Sequence, residues 1–211
     1  MKKFELTAES KVNSLGKKLF RIKALLDFSN VKAGETGGWV EKEKNLDQSG
    51  NAWVSGDAEV FGDAEVFGDA KVSGNAKVSG NAWVFGNAKV SGNTEVSGDA
   101  KVSGDAEVFG NAKVSGNAKV SGDAWVSGNA KVSGNAKVSG DADILHITGL
   151  GSVHRTTTVF RTKEKGLRVV CGCFSGDLEQ FEEQVKKTRT GKIQEEYLKF
   201  AELVRIYFKE E

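Results

Sequence analysis

From Gly50 to Leu145 the chain repeats a six-residue unit sixteen times without one inserted residue. Each unit reads Gly, Asn or Asp, Ala, a variable residue, Val, then Ser or Phe, beginning Gly50-Asn51-Ala52-Trp53-Val54-Ser55 and ending Gly140-Asp141-Ala142-Asp143-Ile144-Leu145. So strict a period implies stacked units that share one elongated core. Ala and Val two apart lie on one face of a strand, and the variable residue between them faces outward. The predicted core is therefore narrow, a stack of Val and Ala. Gly with Asn or Asp supplies the corner, because these residues tolerate positive φ at least cost. The chain has 26 glycines and no proline, and because the glycines keep the period they mark a repeat architecture instead of a flexible linker.

An aliphatic residue followed four positions later by a small one, as in Val54 with Ala58 and Val60 with Ala64, resembles the hexapeptide-repeat family of left-handed parallel β-helices. The resemblance implies a mainly β fold, a left-handed β-solenoid of three-sided coils with three units per turn. Residues eighteen apart then stack at about 4.8 Å.

That register sorts the variable residues into three columns. One reads Glu59, Lys77, Glu95, Lys113, Lys131, mostly alternating in sign as close neighbours should. A second reads Glu65, Trp83, Lys101, Lys119, Lys137, so three lysines follow one another without a carboxylate. The third reads Trp53, Lys71, Lys89, Glu107, Trp125, Asp143, and Phe67 and Phe85 stack at the position after Val. Trp83, Phe67 and Phe85, with Lys101, Lys119 and Lys137, are the candidate binding residues, since apolar side chains on an uncovered outward face mark an interface. The lysines alone are too small a basic footprint for a nucleic-acid track, and a solvated face is the expected reading. The Asn and Asp columns, including Asp105, Asp123 and Asp141, are read as corner residues whose side chains bond locally.

A solenoid needs capping segments where its apolar core would meet water. Residues 1–49 are predicted as an N-terminal β cap with an irregular first coil. Phe20, Ile22, Ala24, Leu26 and Phe28 alternate as a strand after a turn near Gly16, Phe4 and Leu6 can pair with it, and Gly37-Gly38-Trp39-Val40 leads into the coil. The solenoid takes 50–145 and an α+β module 146–211. Strands are expected near Thr156–Thr162 and Leu167–Cys173, joined by a turn at Lys163-Glu164-Lys165-Gly166. A helix over about Asp177–Thr188 opens with Asp177 and Gln180 at capping-box spacing, and a second runs over about Lys192–Lys209 with a wide apolar stripe.

Leu19-Phe20-Arg21-Ile22, Gly37-Gly38-Trp39-Val40, Val159-Phe160-Arg161, Gly172-Cys173-Phe174-Ser175-Gly176 and Glu196-Tyr197-Leu198 resemble uncharacterised hexapeptide-repeat proteins of bacteria and their phages. That resemblance carries no activity, but a phage-borne chain of this kind implies a partner in the host, such as a defence protein that it binds and blocks.

Hexapeptide-repeat β-helices also include trimeric acyltransferases, in which a histidine is the general base and acetyl-CoA lies between subunits. The only histidines, His146 and His154, fall outside the perfect repeats, and no inserted loop walls off a pocket. No catalytic group is assigned; His146 and His154 are the candidates if acyl transfer is the function. Cys171 and Cys173 share a strand face with Leu167 and Val169 and read as buried thiols, with no disulfide and no metal site expected. A net charge of +1 draws the chain neither to nucleic acid nor to an anionic membrane. No apolar run has the length of a signal peptide or membrane span, so a cytoplasmic location is expected. The sequence thus predicts a non-enzymatic protein-binding scaffold without cofactor, assembled as a homo-oligomer.

Overall fold

The computed structural model describes residues 2–164 and 166–209. Fifteen of the sixteen units each form a two-residue strand from the variable residue and its Val, from β4 (Trp53–Val54) to β18 (Lys137–Val138). These strands sort into three parallel ladders in which each residue pairs eighteen positions away; Lys101, for example, lies between Trp83 and Lys119. The structure is a parallel β-solenoid, with Val54, Val72, Val90, Val108 and Val126 stacked at 0% exposure in its core. Each coil donates its backbone N–H groups to the carbonyls of the next, as Trp83 N does to Ala100 O at 2.9 Å.

The corner belongs to glycine alone. Gly80 has φ +69°, and a Cβ there would sit 2.9 Å from the backbone N and O of Gly98, so both dihedral and coil spacing exclude a side chain. The expectation that Asn and Asp share this role is corrected: among described residues, the non-glycine positive φ values are at Ser29, His154 and Lys209. Their side chains do not bond locally either. Asn81 Nδ2 donates to Asp99 Oδ1 at 2.8 Å, Asn87 to Asp105 at 2.8 Å, and Asn75 to Asn93 at 3.1 Å, each one coil on. An amide offers donor and acceptor where a carboxylate only accepts, so Asn above Asp closes the rung.

At the first coil, β3 (Thr36–Val40) pairs in parallel with the unit below, Trp39 opposite Glu59, and Leu46 bridges Val66. A hairpin of β1 (Phe4–Val12) and β2 (Lys18–Ala24) sets Phe4 opposite Ala24 and Leu6 opposite Ile22. β2 is shorter than the alternation suggested: Leu26 and Phe28 leave it, and Phe28 turns edge-on to Trp53 at 5.4 Å, which buries that tryptophan. Lys3, only 3% exposed, reaches over the open carbonyls of the first coil, its Nζ donating to Ala52 O at 2.9 Å and Ser49 O at 3.2 Å. Asn45 caps the next side, donating to Gly62 O at 3.1 Å and Ala64 O at 2.8 Å.

The other end is capped with the opposite chemistry. The sixteenth unit leaves the coil: Asp141–Asp143 form a 3-10 turn, and Ala142 is exposed where every earlier repeat alanine is buried. Asp143 therefore does not extend the third column. Asp141 Oδ1 instead accepts from Trp125 N at 3.0 Å, Asp143 Oδ2 from Ser139 N at 2.7 Å, and Thr158 Oγ1 from Lys131 N at 3.1 Å.

Beyond it, β19 (Ile144–Leu150), β20 (Arg155–Arg161), β21 (Leu167–Cys171) and β22 (Phe174–Gly176) make one antiparallel sheet. Of these, β19 and β22 were not expected, and Lys165 in the predicted β20–β21 turn lies outside the described residues. α1 (Leu178–Thr188) is capped by Asp177, whose side chain accepts from Gln180 N at 2.7 Å, with the Gln180 amide oxygen returning to Asp177 N at 3.1 Å. α2 (Gly191–Phe208) buries Tyr197, Phe200, Ala201, Val204 and Phe208 against α1 and the sheet. Among the described residues no helix is long and apolar enough to cross a membrane.

Thr94 is the one threonine at an inward alanine position, fully buried, with a hydroxyl that has no hydrogen-bond partner. Thr94→Ala restores the repeat residue and is expected to stabilise the protein by about 1 kcal/mol, read as a higher urea midpoint. Burial lowers the Lys3 ammonium from 10.5 to about 8 against the opposing pull of Asp47 and Asp69. Between pH 8 and 10.5 the folded state sheds this proton first, the unfolded state binds more protons, and stability rises with pH. Lys3→Met should abolish that rise and, by orphaning the carbonyls, cost about 2 kcal/mol at pH 7; urea unfolding across pH measures both.

Candidate binding face

The second ladder brings all six sequence-selected residues onto one side of the rod. Phe67 and Phe85, one coil apart, stack with centroids 4.9 Å apart and planes at 4°. Trp83 meets Phe67 edge-on at 6.0 Å and remains 38% exposed. Lys101 Nζ lies 4.0 Å from the Trp83 ring centroid, so the ammonium covers part of the indole. Lys119 and Lys137 continue the column, exposed.

On the neighbouring ladders a lysine pairs with a glutamate one coil away, although Lys71 and Lys131 have no carboxylate within ion-pair distance among the described residues. Lys113 pairs with Glu95 at 2.9 Å and Lys89 with Glu107 at 2.8 Å. On the candidate face Lys101, Lys119 and Lys137 have no carboxylate within ion-pair distance among the described residues, and each lies one strand spacing from the next. Like charges so placed repel, a cost that a bound anion or acidic side chain removes. The C-terminal module lengthens the column: Lys163 N donates to Asn135 O at 3.1 Å, and Lys163 joins Lys119, Lys137 and Asn117, with one acidic residue, Glu164, around an open groove of about 430 Å³. At the other end Glu65, Asp47, Glu43 and Phe67 line a groove of about 630 Å³, where Glu65 already pairs with Lys44 at 3.2 Å.

A second aromatic pair escaped the sequence reading. Trp125, 54% exposed, meets Phe109 edge-on at 5.9 Å on the third ladder. The signal was present, because Phe109 and Trp125 have the same sixteen-residue spacing as Phe67 and Trp83. Tyr207 of α2 reaches the same end of the rod, its hydroxyl donating to Asp141 O at 3.0 Å. Leu203, Ile206 and Tyr207 on that helix are 48%, 75% and 42% exposed.

The two histidines stand on different elements. His146 is half-buried in β19, paired with Thr158, with its Nε2 close over Gly128, whereas His154 is exposed in the β19–β20 turn with φ 48°. Cys171 is buried and accepts from Thr157 Oγ1 at 3.2 Å. Cys173 is exposed, contrary to its reading as a buried thiol, because Gly172 and Cys173 form the turn between β21 and β22. Among the described residues no group of three His, Cys, Asp or Glu side chains is placed to hold a metal ion.

Fold and face together define a capped parallel β-solenoid protein whose Trp83 side combines aromatic and basic residues. Comparison with protein-family models and with curated proteins finds no match to the chain.

Proposed function

We propose that the protein is a non-enzymatic binding scaffold of the left-handed hexapeptide-repeat type, and that its Trp83 face docks another protein. The unpaired lysine column beside an exposed aromatic cluster carries this reading. A matching partner presents an apolar side chain to Phe67, Trp83 and Phe85 and acidic side chains to Lys101, Lys119 and Lys137. Aromatic residues supply binding energy at a low entropic cost, and the charges steer the encounter. In the phage-borne setting implied by the sequence resemblance, the partner is a host protein, and a defence factor blocked by occupancy is the specific form of the proposal.

Native mass spectrometry of tagged protein from expressing bacteria identifies the partner and the subunit number together. Trp83→Ala is expected to weaken the recovered partner at least about 30-fold. Lys119→Glu with Lys137→Glu should slow association and flatten its salt dependence. Undiminished affinity in both variants would sink the docking face, and saturable micromolar binding of acetyl-CoA would replace the scaffold reading with acyl transfer.

The uncovered stripe on α2 favours self-association as well. Leu203, Ile206 and Tyr207 lie at helical neighbour spacing and all face out. A second copy of the chain is the proposed occupant, and Ile206→Glu should convert the oligomer to monomer by analytical ultracentrifugation. A monomeric parent protein at tens of micromolar would overturn this assignment.

A further inference from the structure

The C-terminal module has a half-open recess that neither the docking face nor the helix stripe uses. It lies between the antiparallel sheet and the helices and has a volume of about 80 Å³, with Arg155, Arg189, Gln184 and Thr188 on its polar side and an apolar wall of Phe174, Phe181 and Val185 beside Tyr197 and the two cysteines. The two glycine turns at its rim allow its walls to close in. A Cβ on Gly172, φ +63°, would meet Arg155 Nη1 at 2.8 Å, so the half-buried guanidinium rests directly on that turn. A Cβ on Gly151, φ +69°, would lie 2.5 Å from the Tyr197 hydroxyl, which donates to Leu150 O at 3.4 Å.

Charge at this recess is unbalanced. Arg21, Arg161 and Arg205 pair with Asp57, Asp143 and Glu182 respectively. Arg155, Arg168 and Arg189 have no carboxylate within ion-pair distance among the described residues; Arg168 donates to Ser175 Oγ at 3.4 Å on the sheet, and Arg189 Nη1 to Thr188 O at 3.4 Å beside the recess. Glu196, the neighbour of Tyr197 in sequence, has one carboxylate oxygen accepting from Gly151 N at 3.1 Å. Arg189 follows the last turn of α1, where the helix dipole favours a cation. Arg155 has no such reason to be there. The Tyr197 hydroxyl is held above its ordinary range by burial and by Cys171, and both guanidiniums stand close enough to oppose that rise.

We propose that this recess is an oxyanion site that takes a single phosphate-type group, with Arg155 and Arg189 as its charge partners and the Gln184 amide beside them. Paired guanidiniums match the oxygen fork of a tetrahedral anion, and each charge-assisted bond is stronger than a neutral one. About 80 Å³ holds one such group, and whatever is attached to it extends through the open side. The group is either a free anion or the terminal group of a phosphomonoester whose remainder stays in solvent.

Calorimetric titration of the full chain at constant ionic strength, with inorganic phosphate in one arm and glycerol phosphate in the other, tests the assignment. Saturable binding is expected, weakened about tenfold or more by either Arg155→Gln or Arg189→Gln, and unchanged by Lys23→Gln at the far end of the molecule. Equal affinity for both probes identifies a free-anion site, and tighter binding of the ester identifies a headgroup subsite. Arg189 is exposed, so Arg189→Gln leaves the fold intact and keeps the test decisive if Arg155→Gln unfolds the module. Absence of saturable binding in both arms, or unchanged affinity in a folded Arg189→Gln variant, overturns the proposal.

Discussion

Every coil of this protein hands its backbone N–H groups to the coil that follows, and that single direction governs both the rod and its ends. Because all strands run parallel, the hydrogen-bond columns never reverse. One end therefore exposes carbonyls and the other N–H groups, as the termini of a helix do. The caps answer with opposite chemistry: the Lys3 ammonium and the Asn45 amide donate to the first coil, whereas the Asp141 and Asp143 carboxylates and the Thr158 hydroxyl accept from the last. Exchanging the two kinds of cap would leave donors facing donors. The edges are thereby closed to further strand addition, the standing hazard of an open parallel ladder.

The same stacking makes each outward residue the neighbour of its equivalent one coil away, so side-chain choice is governed by ladders. Asn over Asp closes a rung, and Glu next to Lys closes an ion pair. A ladder that breaks the rule costs stability without any gain to the isolated fold, and Lys101, Lys119 and Lys137 break it in succession. Trp83 and the Phe67–Phe85 stack break a second rule, since they hold aromatic surface in water beside that column. The other ladders carry single lysine-on-lysine steps at Lys71–Lys89 and Lys113–Lys131 and the Phe109–Trp125 pair. The run of three lysines beside the larger aromatic cluster is the physical ground for reading the Trp83 side as a binding face.

The solenoid was legible in the sequence because its signal is a period, and a period fixes register as well as element type. The three columns, the hairpin of Phe4 and Leu6 with β2, and the Asp177 capping box all depend on spacing within a segment. What escaped notice depends on contacts between distant segments. Trp53 looks outward by the repeat and is buried because Phe28 folds over it and Gly37 of β3 lies against its ring. Asp141 and Asp143 match the unit well enough to be counted in it, yet act as caps because no further coil lies beneath them. Lys3 looks like an ordinary terminal lysine until the carbonyls of Ser49 and Ala52 arrive above it. The six candidate residues share one side of the rod as their eighteen-residue register requires, while the Arg155 and Arg189 recess assembles from a strand and a helix terminus with no common spacing.

Rod and module offer different kinds of surface for the same reason. Two-residue strands separated by glycine corners give flat, open sides with grooves that a protein surface can cover, but they cannot wrap a small molecule. An antiparallel sheet packed under two helices has more depth, and there the structure places its small half-open recess. β20 joins the two surfaces. Thr162, directly after it, bridges Ala136 of the last coil, and Lys163 extends the lysine column, while Arg155 at its other end stands over the recess. The strand is held on one side by β19 and on the other by β21. Arg155 and the backbone that leads to Lys163 are thus carried by one short, fully paired element, while Arg189 reaches the recess from the end of α1.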